Sequence, residues 1–172
     1  MTRAGPEGTG TEAEAEETGT EAEGAATGTG TRAAVGEELP PLEIPVTRTL
    51  IVSGALASRD HQDVHHDAEA AREKGSPDIF MNILTTNGLV GRYVAEWAGA
   101  DAVLRRVAVR LGVPNYPGDT LTLRGRVTAL ADDGAVELAV TGTNGLGSHV
   151  TARVTVVPAG ATALPASEEA VR

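Results

Sequence analysis

The chain has 172 residues, a formal net charge of -10 and no cysteine. This excludes a disulfide framework, a thiolate nucleophile and a cysteine-based metal site, and it leaves no electrostatic basis for binding nucleic acid. No run of about 18 apolar residues is present to span a membrane. There is no basic amphipathic face for a membrane surface, and Met1-Thr2-Arg3 is not followed by an apolar signal region. The expected compartment is the cytoplasm.

Residues 1–38 are Gly, Thr, Glu and Ala almost throughout, and residues 1–40 carry nine Glu against two Arg. Such a segment cannot bury enough apolar area to offset the entropy of ordering it, so a disordered acidic tail is expected over 1–38. From Leu42 to Val52 the chain is rich in Ile, Val, Leu and Thr, which predicts a strand, with Pro45 marking an edge or a late start. Asp67 is placed to cap a short helix over 68–74, stopped by Gly75. Ser76-Pro77-Asp78 reads as the start of a long helix running to Gly99, with Ile79, Ile83, Val90, Val94 and Trp97 on one stripe. Gly88 and Gly91 inside it suggest a close-packed neighbour.

After Gly99 the apolar period changes to two. Val103, Val107, Val109 and Leu111 share a face, with Arg105 an exception. Leu121, Leu123, Val127 and Ala129 form a second set, then Val136, Leu138 and Val140, then Val150, Ala152, Val154 and Val156. Asp132-Asp133-Gly134 and Asn144-Gly145 mark turns. His149 falls on the polar side of its strand. The order is a strand, short helices, one long apolar helix and four strands, which makes an α+β domain over 39–159 and a loose end over 160–172. One helix against one sheet leaves an edge or flank open, and a second copy or a homologue would cover it.

The chemistry is concentrated in Asp60-His61-Gln62-Asp63-Val64-His65-His66-Asp67, which holds three carboxylates and three of the four histidines. Such a cluster ahead of a helix suits proton transfer, and it is also the composition of a solvated loop. The spacing of Asp60, His65 and Asp67 resembles the Asp-x-Asn-Pro-x-His-x-Asp motif of MaoC-like hydratases. Pro117-Gly118-Asp119 matches the Pro-Gly-Asp that opens a strand in that family. The likeness is nearest to small single-hotdog subunits of actinobacterial steroid side-chain degradation, through Arg59-Asp60, Gln62 to Asp67, Asp78-Ile79-Phe80, Asn82 to Thr85 and Arg110 to Pro114. Two departures stand out: Gln62-Asp63 replaces Asn-Pro, and Met81-Asn82 replaces a His-Gly pair.

The resemblance implies a single hotdog fold, a curved antiparallel sheet wrapped around one long helix, that adds water across the 2,3 double bond of a bulky steroid or lipid 2-enoyl-CoA, or removes it. Asp60 and His65 would be the catalytic pair. An imidazole with the ordinary pKa of about 6.5 can take a proton from water near neutrality, and a carboxylate can hold the same water. Free N–H groups in the first turn of the long helix would meet the enolate oxygen. Asn82 could serve there through its backbone if its side chain points away, and Gln62 could orient water or substrate. No cofactor is implied beyond the CoA of the substrate. His61 and His65 with Asp63 or Asp67 have a metal-ligand spacing, but no metal is expected. The implied partner is a second MaoC-like chain, or a second copy. The rival readings are a non-catalytic partner that shapes another chain's acyl tunnel, and a thioesterase, which the absence of an acidic residue before Glu96 in the helix argues against.

Overall fold

The computed structural model describes residues 33–161. The tail expected over 1–38 lies outside these residues up to position 32, and the loose end expected over 160–172 lies outside them from position 162. Within the described part, the Gly36 N–H donates to the Val127 carbonyl and the Val127 N–H to that of Glu37, which starts the first strand, β1 (Glu38–Pro45), on its neighbour.

β1 carries Pro40, Pro41 and Pro45, and its register breaks between Leu39 and Leu42. Prolines cannot donate to a ladder and belong on an edge. The strand expected over 42–52 therefore stops at Pro45. Thr47 caps a helix instead, α1 (Arg48–Ala57), its hydroxyl oxygen accepting from the Leu50 N–H. Ile51 and Ala55, four apart, are its buried face. An apolar run of this length suits either state, and the cap decides it.

Asp67 caps α2 (Ala68–Glu73) as its spacing predicts, accepting from the Glu69 and Ala70 N–H groups. The long helix, α3 (Ile83–Ala98), is shorter than expected at its front. Ser76-Pro77-Asp78 starts no helix. The Ser76 hydroxyl donates to the Asp78 carbonyl, and the Asp78 carboxylate accepts from Arg48 and from the Ile79 N–H. Ile79 and Met81 follow, two apart and both buried, and the Met81 N–H donates to the Asn115 carbonyl. The helix begins only where Asn82 caps it, so Ile83 and Leu84 lie outside the buried stripe, 46% and 49% exposed. Leu89, Val90, Tyr93, Val94 and Ala98 form the buried stripe. A methyl group at Gly91 would meet Leu104 at 3.5 Å and one at Gly88 would meet nothing, so neither glycine is dictated by close approach within the chain.

Four further strands complete an antiparallel sheet in the order β1-β3-β4-β5-β2: β2 (Val103–Leu111), β3 (Thr120–Leu130), β4 (Val136–Asn144) and β5 (Gly147–Val157). Leu121, Leu123, Val127, Leu138, Val140, Val150, Val154 and Val156 are all buried in one core with α3. Each such side chain stabilises the fold by roughly 1.5–3 kcal/mol before entropy is counted. The exceptional Arg105 is the extra residue where the β2 register shifts between Leu104 and Arg106. A second shift corrects an expectation. Gly142 pairs with Val150 but Thr143 with Ser148, so His149 is the extra residue of a bulge. Strict alternation would put it on the surface; the bulge turns it inward, and it is 1% exposed. Pro117-Gly118-Asp119 ties two loops together. The Gly118 N–H donates to the Val46 carbonyl, and the Asp119 carboxylate accepts from Gly145 in the β4–β5 turn.

Candidate active site

Asp60 is placed by the end of α1. The Asp60 N–H donates to the Ala55 carbonyl and the Arg59 N–H to that of Leu56, the paired bonds of a Schellman cap. That cap needs a left-handed residue, and Arg59 supplies it at φ 56°, without being glycine. His65 sits at the end of a 3₁₀ turn (Asp63–His65). The turn is tied down by an ion pair between Asp63 and Lys74, which holds the Asp63 carboxyl below its ordinary range.

These two devices bring Oδ2 of Asp60 to 3.3 Å from Nε2 of His65. His65 is 5% exposed, and its Nδ1 lies 2.7 Å from the Phe80 carbonyl oxygen. A carbonyl only accepts, so Nδ1 carries a proton, and in the neutral ring Nε2 keeps its lone pair. The Phe80 ring packs edge-on against the imidazole at 5.1 Å. The Asp60 carboxyl is held below its ordinary range, chiefly by the Asn82 amide, with burial opposing and the Gln62 N–H and His65 assisting. When the ring is neutral, Nε2 and the Asp60 carboxylate are two acceptors side by side. One water molecule, with two O–H donors, can satisfy both.

Asn82 is 3% exposed, and its side chain does not point away from the pair. Its Nδ2 donates to Asp60 Oδ2 at 3.0 Å and to the Ser58 hydroxyl at 2.9 Å, and its Oδ1 accepts from the Thr85 N–H. Among the described residues its own backbone N–H has no partner. The first-turn N–H groups of Ile83 and Leu84 are beyond the reach of intrahelical bonding. Gln62 is exposed, and its side chain makes no capping bond; only its N–H touches the pair, 3.4 Å from Asp60 Oδ1. His61 and His66 are exposed, and Asp67 is used as a cap. Among the described residues no three His, Asp or Glu side chains are grouped to hold a metal.

Three contributors escaped the sequence reading. Ser58 anchors Asn82, the Phe80 carbonyl sets the tautomer, and Gly54 lets α1 reach α3. A methyl group at Gly54 would lie 2.2 Å from the Thr85 hydroxyl oxygen. No spacing rule marks any of them, because each acts through the fold.

A curved antiparallel sheet around one long helix is the hotdog fold. The chain matches the MaoC like domain over residues 31–149 and belongs to the MaoC-like family. It is 54% identical, over 70% of its length and 92% of the relative's, to the 3-oxo-4,17-pregnadiene-20-carboxyl-CoA hydratase beta subunit of Mycobacterium tuberculosis. Its fold matches a chain of the ChsH1-ChsH2 complex from the same organism with TM-score 0.71 and 52% identity, covering 73% of this chain and 98% of that one. The R-hydratase PhaJ1 of Pseudomonas aeruginosa shares the fold at TM-score 0.68 and 19% identity, covering 73% and 82% of the two chains.

Proposed function

We propose that the chain is the catalytic subunit of a hotdog hetero-oligomer that hydrates a bulky steroid or lipid 2-enoyl-CoA. The observation that carries this is the Asp60–His65 pair, with Nε2 facing Oδ2 at 3.3 Å and the other ring nitrogen occupied by the Phe80 carbonyl. Water held between the two loses a proton to Nε2 as its oxygen bonds to C3. The π pair of C2=C3 moves into the thioester as an enolate. C2 then gains a proton, returned by the same pair, so no oxidant, metal or cofactor is required. The enolate oxygen is met by the Asn82, Ile83 and Leu84 N–H groups at the start of α3, with the positive end of the helix dipole behind them. Gln62 touches the pair only through its backbone and is given no chemical role.

The names of the relatives support a steroid acyl group and a heteromeric assembly. The sheet supports an assembly as well. One edge, β1, is blunted by three prolines. The other, β2, has no proline and no buried residue, with Val103 58% and Leu104 38% exposed. Free of proline and with exposed apolar side chains at both ends, that edge is the one open to pairing, and a second MaoC-like chain is the proposed partner.

The test is to purify the chain alone and with a MaoC-like partner and follow loss of the enoyl-thioester absorbance. Asp60→Asn and His65→Ala should each lower kcat by about 10²–10⁴-fold. Full activity in both variants sinks the assignment. Activity only with the partner present establishes the heteromer.

A further inference from the structure

The side chain of Asn82 does more than a helix cap requires. Its orientation is fixed by chemistry. The Thr85 N–H can only donate, so Oδ1 must face it, and Nδ2 must then face the Asp60 carboxylate and the Ser58 hydroxyl. Both amide hydrogens and the amide oxygen are thereby used. The Ser58 hydroxyl is itself held on α1, donating to the Gly54 carbonyl at 2.7 Å. One buried amide therefore joins three things: the end of α1, the carboxylate of Asp60 and the first turn of α3.

We propose that Asn82 is a positioning residue, fixing the Asp60 carboxylate and the N-terminus of α3 in one register so that the water-holding group and the enolate-binding N–H groups cannot move apart. This deepens the function proposed above and rests on it for its catalytic consequence, while the clamp itself is a property of the fold. A simple cap, such as serine, would finish the helix equally well. An amide is needed only if the cap must also donate to a carboxylate. A displacement of about 1 Å between reacting groups is enough to cost about a hundredfold in rate. The titratable groups that face Asp60 are His65 and, with a smaller influence, His61.

Two variants separate the clamp from the cap. Asn82→Ser retains an N-cap oxygen and loses the amide donor. Asn82→Asp retains the cap and turns the donor into a carboxylate oxygen facing Asp60. The Asp60 carboxyl is titrated by carbon NMR in each full-length protein, and kcat and KM for trans-2-octenoyl-CoA are measured across pH in the complex with its partner. The expected result is an Asp60 midpoint raised in both variants, most in Asn82→Asp. With it should come a fall in kcat of at least about tenfold, little change in KM, and an acid limb moved to higher pH. Melting temperatures should fall in both variants, further in Asn82→Asp where two carboxylates face each other, so kcat and the Asp60 midpoint are compared well below the lower melting temperature. An unmoved Asp60 midpoint in both variants overturns the proposal, as does a normal kcat and pH profile in an active enzyme. If the parent complex does not hydrate enoyl thioesters, the function reading fails, and the titration alone decides the clamp.

Discussion

Nδ1 of His65 lies 2.7 Å from the carbonyl oxygen of Phe80, and that contact settles which ring nitrogen is available for chemistry. The backbone there is pinned from the other side, because the Phe80 N–H donates to the Val64 carbonyl. The ring cannot turn without stranding a buried acceptor, which costs about 1–3 kcal/mol. The neutral imidazole is therefore expected as the Nδ1–H tautomer. Nitrogen NMR of the histidine side chains at alkaline pH checks this: His65 should show a protonated Nδ1 and a bare Nε2, and the opposite pattern would remove Nε2 as the base.

Arg59 gives a second prediction. It occupies the left-handed position of the Schellman cap at φ 56°, where a side chain costs about 1–2 kcal/mol against glycine. Arg59→Gly removes that strain and gives back part of it as unfolded-chain entropy. The variant should be more stable by up to about 1 kcal/mol in urea unfolding. The backbone bonds from Arg59 and Asp60 to Leu56 and Ala55 carry the position of Asp60, so activity should be retained. Loss of stability would mean that the Arg59 side chain does work beyond the turn.

The sequence made the sheet legible because Leu121 through Val156 alternate on a two-residue period, and that period has one structural meaning. Asp60 and His65 were singled out by their likeness to the MaoC-like motif, since the residues alone suit a solvated loop as well as a site. What was missed depends on competition between neighbours. Leu50 and Ile51 suit a strand until Thr47 caps them into α1. Ser76-Pro77-Asp78 has the chemistry of a helix start, but Asp78 accepts from Arg48 and from its own neighbour's N–H, and the cap passes to Asn82. A bulge adds one residue to a strand and reverses the side of His149 without altering the alternation on either flank. None of these outcomes is encoded within a window of a few residues.

His149 yields a pH prediction. Burial holds its imidazole below the ordinary histidine range, and the bond to the Val113 carbonyl opposes this only in part. The unfolded chain, with histidine near its reference pKa of about 6.5, therefore binds a proton that the folded chain refuses. Stability from this group is fully present above that pH. It falls as the pH drops below it, by at most about 1.4 kcal/mol per unit. His149→Gln should reduce that slope when urea midpoints are compared at pH 8, 6 and 5. An unchanged slope would show that other groups set the acid sensitivity.

The last prediction concerns the open edge. Every residue of β2 is exposed or half-buried, and its two ends present Val103 and Leu111, 58% and 36% exposed. Both edges carry a register shift, but β1 adds three prolines, whereas β2 has none and sets apolar residues at its two ends around Arg105, Arg106 and Arg110. If β2 is where the second MaoC-like chain joins, lysines at both ends should block it by burying charge without partners. The double variant Val103→Lys and Leu111→Lys should run as the free chain in size-exclusion chromatography with its partner, where the parent runs as a complex. Substitutions at positions this open usually move stability by less than about 0.5 kcal/mol, so the variant alone should melt close to the parent. Normal assembly by the variant would move the interface elsewhere, first to the exposed Ile83 and Leu84 at the head of α3.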